Sequence, residues 1–317
     1  MANTYGKVSG TFEEIQNAYG KVSGVWKEAD EIYGKVSGVW KLVFSAFEAT
    51  SFATVSSGSG TFTVPAQANA IHIQAAVGGG GGGVKGADYD KAGGESSGAG
   101  GGSGSFISDK VFSVTAGETI SYGVGAGGAP GNQSNQYNVS GSSGASTTLS
   151  GSSVGAIFTL GGGSGSSGSG GSVKGPLRSN SPGTGGSATI NASAVTSGTF
   201  RDSSGATVNV SSLNGGPVGT FNQSGNGATG GNNGNCGGDN CRIAGSTGAA
   251  SYSGNVAGGS GGSSSGGGTN GSVGTRGSGG GGGSAQVTAG SSPTNVGRTD
   301  GASGGSGEVQ YRFLRIQ

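Results

Sequence analysis

Unbroken glycine runs at 161–163, 266–268 and 279–283 limit what this chain can fold into more than any other feature. Glycine fills 79 of the 317 positions, roughly four times the share of an ordinary globular chain. Each glycine removes a side chain that could have been buried and adds backbone entropy that folding must overcome. With hydrophobic residues at only 30%, a conventional core cannot form along much of the length. Ordinary disorder fits poorly too, because it usually pairs low hydrophobicity with high net charge. Here charged residues are 10% of the chain and the net charge is +1.

The 16 basic and 15 acidic residues are spread thinly, with no basic stripe to neutralise a phosphate backbone. No nucleic-acid partner is expected. No apolar stretch approaches the roughly 20 residues of a membrane span, so no membrane insertion is expected. Residues 1–10 lack the charged and apolar regions of a signal peptide. The expectation is a protein made in a cytoplasm, for which release by lysis is one route outside.

An internal repeat precedes the glycine-rich part. Tyr5-Gly-Lys-Val-Ser-Gly10 returns at 19–24 and at 33–38, a period of 14, with Phe12, Trp26 and Trp40 following in phase. Each unit reads as a strand, a Ser-Gly turn and a second strand carrying the aromatic. A helix over 11–18 is the rival reading, from the spacing of Phe12, Ile15 and Tyr19. One unit cannot bury its own apolar residues, which implies stacking of units or of chains. Tyr5, Phe12, Tyr19, Trp26, Tyr33 and Trp40 are therefore the expected oligomer or attachment contacts.

The first 50 residues hold 11 of the 31 charges and 6 of the 79 glycines, which marks a boundary. The expected organisation is a β-repeat attachment or oligomerisation region over 1–50 and a glycine-rich domain over 51–317. In the latter, strands are placed within 60–124, at 155–160 and at 308–317. Alternation over 71–77 marks one strand, with Ile71 and Ile73 on its core face. Residues 111–115 and 119–124, joined by Ala116-Gly117-Glu118, read as a β-hairpin. Val309, Tyr311 and Phe313 share one face of a closing strand that returns to pair with this framework.

Between those strands, over 161–307, large side chains are too sparse for burial to be the main cohesive term. No sustained Gly-X-Y register exists and proline totals 6, which excludes collagen. The ordered solution is extended left-handed polyglycine helices packed side by side, with three residues per turn and outward-pointing N–H and C=O groups. Only glycine lets such backbones approach closely enough to hydrogen-bond. A flexible linker is the alternative; the length of the body and the strands flanking it favour order. The expected fold class is mainly β: N-terminal 14-residue β-repeats, then a small β framework enclosing a packed polyglycine-II helix bundle with irregular loops.

Phe62-Thr-Val-Pro65, then Ile71-His-Ile73 and the glycines of 78–83, resemble the opening of glycine-rich domains in phage tail proteins. The segment from Phe112 to Gly128 resembles their second element, and 304–316 their closing strand. The Tyr-x-Lys-Val-x-Gly-x-Trp-Lys repeat is similar to short repeats of phage tail fibres. Glycine blocks alternating with richer segments resemble the distal adhesins of T-even long tail fibres. In those adhesins, loops between polyglycine helices contact bacterial outer-membrane proteins. The N-terminal repeats depart from that layout. The resemblance implies a virion tail protein, assembled in the host cytoplasm and bound to other tail proteins through its N-terminal region. It would be a homotrimer or sit on a trimeric fibre, with a bacterial surface receptor as partner.

Chemistry has little to work with. His72 is the single histidine and reads as a surface or interface residue, not a catalytic one. No catalytic residue, metal or cofactor is expected. Cys236 and Cys241 are candidates for a small disulfide loop, which would contribute about 2 kcal/mol; free thiols and a metal are the other readings. Tyr89, Tyr137, Arg178, Phe200, Arg201, Phe221 and Tyr252 lie in inserts between glycine blocks. Aromatics and arginines dominate interface energetics, so these are the receptor-binding candidates. Each could instead pack under its own loop. The functional alternatives are a purely structural virion decoration or fibre protein, and an antifreeze or matrix protein.

Overall fold

A computed structural model describes residues 5–8, 11–14, 19–28, 31–36, 38–45, 47–83, 87–88, 95–96, 99–131, 140–167, 183–204, 206–213, 218–219, 241–243, 285–287 and 300–316. The chain is mainly β, with two single-turn 3-10 helices among the described residues. At the N-terminus the three repeats form three antiparallel hairpins: Tyr5–Val8 with Thr11–Glu14, Tyr19–Val22 with Val25–Glu28, and Glu31–Val36 with Val39–Ser45. Their registers coincide, placing Lys7 opposite Phe12, Lys21 opposite Trp26 and Lys35 opposite Trp40. In the second turn Ser23 and Gly24 both have positive φ, 51° and 82°. That is the demand of a two-residue hairpin whose twist matches its strands. The helical alternative over 11–18 is overturned at Thr11–Glu14, which pairs in a ladder.

The body is built on two five-stranded antiparallel sheets. Eleven strands are numbered in chain order: β1 Ala53–Val55, β2 Ser59–Thr63, β3 Ala70–Val77, β4 Phe106–Ser113, β5 Thr119–Gly123, β6 Thr147–Gly151, β7 Gly155–Leu160, β8 Ala188–Ile190, β9 Thr199–Arg201, β10 Thr207–Asn209 and β11 Glu308–Leu314. One sheet runs Val218–Gly219, β4, β3, β11, β1; the other runs β8, β7, β6, β5, β2. Side chains alternating inward from both sheets make one core, including Ile71, Ile73, Ile107, Phe112 and Val309 from the first and Ile120, Leu149, Phe158 and Leu160 from the second. The closing strand β11 returns as expected, pairing with β3 on one side and β1 on the other.

The hairpin expected at 111–124 does not form. β4 and β5 are strands, but they lie in opposite sheets, paired with β3 and with β2 and β6 respectively. The turn between them is a corner across the sandwich. There Gly117 takes φ +77°, and the buried Glu118 carboxylate accepts from Thr115 N at 2.6 Å and Ser153 N at 2.8 Å. The corner lets Phe112 and Ile120 bury their side chains between the sheets from opposite sides, a choice that alternation alone cannot distinguish from a hairpin. Strands β1, β6, β8, β9 and β10 also lay outside the sequence expectation; each is short, with few large apolar residues.

Seven strands run directly into, or out of, a glycine-rich extended segment. Residues 78–83 continue β3, 124–131 continue β5 and 161–167 continue β7; 99–105, 140–146, 183–187 and 300–307 lead into β4, β6, β8 and β11. These segments are joined by backbone hydrogen bonds whose partner changes at every residue. Gly78 and Gly81 donate to Ser105 and Gly102, Gly79 and Gly82 to Ala145 and Ser142, and Gly80 and Gly83 to Gly305 and Ala302. In return the carbonyls of Gly79 and Gly82 accept from Gly163 and Ser166, and those of Gly80 and Gly83 from Gly128 and Gly131. The ten bonds span 2.7 to 3.1 Å and tie 78–83 to five neighbours, three antiparallel ones that accept its bonds and two parallel ones that donate to it. Both sheets contribute neighbours, so beyond residue 77 the two layers merge into one hydrogen-bonded body.

Merging requires the absence of side chains. A Cβ at Gly82 would overlap the carbonyl of Ala129, and one at Gly101 the carbonyl of Gly81. Thr147 ties the two regimes together: its buried hydroxyl donates to Val77 O at 2.8 Å and accepts from Gly125 N at 2.9 Å. The glycine-rich packing therefore starts at 78, ahead of the 161–307 body expected from composition. Gly82→Ala is expected to destabilise the protein by about 3 kcal/mol or more, since rigid backbone on the other side cannot give way. Ser142→Ala, at an exposed position, should change stability by less than about 0.5 kcal/mol. Denaturant unfolding of both variants checks this.

Candidate functional site

Two regions of the body carry features that a framework alone does not require. The first is the end of the glycine-rich packing away from the sandwich. Residues 83, 131 and 167 end there, and 99, 140, 183 and 300 begin there, as the strand each segment joins dictates. Three connections, 83 to 99, 131 to 140 and 167 to 183, thus leave and re-enter at that end; a fourth leaves the first sheet at Val218–Gly219, beside β4, and re-enters at 300. Two short antiparallel pairs are described among these connections, Ala87–Asp88 with Glu95–Ser96, and Cys241–Ile243 with Ala285–Val287. The first of these pairs lies beside Ala285–Val287. Tyr89, Tyr137, Arg178, Phe221, Tyr252 and Cys236 lie outside the described residues. Cys241 begins the strand that pairs with Ala285–Val287.

The second region is the outer face of the first sheet, where β9, β10 and the turn 210–213 cover β3. Phe200 is fully buried there, in a second core with Ala49, Ala70, Val111, Val210 and Leu314. This corrects its reading as a receptor contact, because its ring has no exposed surface to offer. Arg201, beside it on β9, is half-buried. The covering hairpin was unreadable from sequence, since Thr-Phe-Arg and Thr-Val-Asn are too short to show alternation. Phe200→Ala is expected to cost about 3–5 kcal/mol of stability, by cavity formation. Thermal or denaturant unfolding would show it.

His72 sits under the same cover, 2% exposed, which corrects its expected place at the surface. Its strand, β3, is buried on both faces. Arg312 Nε donates to His72 Nδ1 at 3.1 Å, which places the imidazole proton on Nε2. That proton points to Asp109 Oδ1 at 3.3 Å. Asp109 interrupts the β3–β4 ladder between the pairs Ser108–Ala75 and Lys110–Ile73, with the register unchanged on either side, and takes φ +43°, a backbone conformation that asparagine and aspartate tolerate better than other side-chain-bearing residues. Arg312 lies over the Phe52 ring at 4.5 Å and the Phe200 ring at 5.3 Å. Phe52 meets His72 edge-on at 5.5 Å. Asp109, Arg312 and Phe52 were not singled out from sequence; an aspartate inside an apolar strand, Ile107-Ser-Asp109, was the one available signal.

Burial, and then the Arg312 charge, push the His72 pKa down to about 4, against the opposing pull of Asp109. His72 is therefore neutral in the folded protein near neutrality. In the unfolded chain it titrates near 6.5, so the unfolded state binds the extra proton in the window between. Stability is expected to be full above about 6.5 and to fall as pH drops towards about 4, by up to about 3 kcal/mol from this residue. Urea unfolding of wild type and His72→Gln across that range isolates the contribution.

Among the described residues no group of three or more His, Cys, Asp or Glu side chains comes together as a metal site requires. No helix of the described residues is long and apolar enough to cross a membrane. What the geometry defines is a β-sandwich whose strands extend into side-chain-poor, backbone-bonded packing. The chain belongs to the glycine-rich domain family, whose model matches residues 54–314. That match runs from β1 to the last residue of β11, so the family unit is the sandwich with its glycine extensions. No curated protein matches the chain.

Proposed function

We propose that the glycine-rich segments are polyglycine-II helices, and that the protein is a phage virion tail component that binds a bacterial surface receptor. The helix reading rests on the three-residue recurrence of partners around 78–83, which matches three residues per turn with outward-facing N–H and C=O groups. Such packing is rigid without a side-chain core, so inserts between helices are free to vary. The observation that carries the functional reading is that three connections between glycine segments leave and return at one end, opposite the sandwich, and a fourth returns there. Tyr89, Tyr137, Arg178, Phe221 and Tyr252 belong to those connections in sequence. Resemblance to phage tail proteins and adhesins supports the same reading.

The N-terminal hairpins serve attachment to other tail proteins or homotrimerisation. Two-stranded sheets are marginal alone, and three with one register suit repeated, equivalent contacts. No catalytic step, cofactor or metal is invoked.

The test is binding of labelled full-length protein to intact bacteria from a host panel. A variant with Tyr89, Tyr137, Phe221 and Tyr252 changed to Ser, shown to be folded by circular dichroism, is compared. Saturable binding reduced at least tenfold in the variant is expected. Folded protein that binds no host in the panel would instead favour a purely structural role in the virion.

A further inference from the structure

The segment that follows the N-terminal hairpins is strung across the outer face of the sandwich. Ala49 N donates to Arg201 O at 2.9 Å and Thr50 N to Phe313 O at 3.0 Å, while Phe313 N donates back to Thr50 Oγ1 at 2.9 Å. Glu48 bridges Arg201 in parallel. Two residues on, Phe52 closes over Arg312 and against the edge of His72. The segment is thus pinned between β9 and β11, and its aromatic anchor rests on the Arg312–His72 pair.

We propose that His72 is the trigger of an acid-operated latch that holds residues 47–52, the connection to the N-terminal repeats, on the sandwich. Neutral His72 offers the Nδ1 lone pair that fixes Arg312 between Phe52 and Phe200. Protonation removes that acceptor and sets two cations at hydrogen-bonding distance. Arg312 then leaves its place, Phe52 loses the surface it lies on, and the backbone bonds of Ala49 and Thr50 lose their support. Asp109 on β4 is the opposing group: it faces Nε2 and holds the imidazolium when it forms. Asp202, in the turn between β9 and β10, attracts Arg312 and gives it somewhere to go. Lys110 on β4, Arg201 on β9, Glu308 on β11 and Glu48 in the segment itself are the remaining charges on these elements. Acid release would free the repeat region from the body while leaving the main core, on the other face of β3, intact.

Amide hydrogen exchange of the full chain, expressed as protection factors from pH 7 to 4, tests this. Protection at Ala49 and Thr50 is expected to fall at least tenfold on acidification, while Ile71 and Ile73 keep theirs. In His72→Gln, which can accept from Arg312 but cannot titrate, the fall is expected to vanish. If that variant does not fold, Arg312→Gln serves, and its pH dependence at Ala49 and Thr50 is expected to flatten. Constant protection at those two amides in wild type, loss in step with Ile71 and Ile73, or an undiminished fall in the folded variant would each overturn the proposal.

Discussion

Backbone-to-backbone hydrogen bonding at the closest approach two chains allow is the constraint on which the rest of this structure depends. Segment 78–83 donates six bonds and accepts four, and its partners come from both sheets. Sandwich layers normally sit about 10 Å apart because side chains fill the gap. Where the side chains stop, at residue 78, the layers close until carbonyls occupy the positions a Cβ would need. Conformational entropy makes each glycine costly to order. The sandwich offsets part of that cost, because every segment enters the packing already aligned by the strand it extends.

This division of labour explains how so few large residues suffice. The apolar side chains sit in the strands and in two clusters, one between the sheets and one beneath β9 and β10. Polar side chains at the seam are used as connectors. Thr147 bonds both a strand and a glycine segment, Glu118 ties two turns together, and Ser105 reaches the carbonyls of Gly161 and Ser187. The cluster at His72 follows the same economy: one ring organises an arginine, two aromatic rings and the segment that leads from the N-terminal repeats.

Much of the β framework was legible in the chain because its cues are local. The Ser23-Gly24 turn, the strand over 71–77 with Ile71 and Ile73 in the core, and the Val309, Tyr311, Phe313 face appear as read, although the other face of 71–77 is buried too. Side-chain-poor packing was legible in kind, since composition excluded a normal core, but much of the 161–307 body in which it was expected lies outside the described residues. The candidate site was less legible. Phe200 carries the residue type of an interface anchor, yet a core ring and a contact ring look alike until burial is known. Asp109 and Arg312 are 203 positions apart in the chain and meet at His72 only because β4 and β11 flank β3.

What the sequence determined by itself was the period of each element and the kind of cohesion available to it. Hairpin repeats follow from a 14-residue recurrence with glycine in the turn, and backbone bonding from glycine runs that leave nothing else to bond. Tertiary structure decided the partners. It sent β4 and β5 to opposite sheets, put 78–83 at the centre of its neighbours, and buried His72 under a cover of two three-residue strands that carries Phe200. The physical reason is that side-chain pattern fixes which face wants burial, while the surface that buries it is supplied by residues far along the chain.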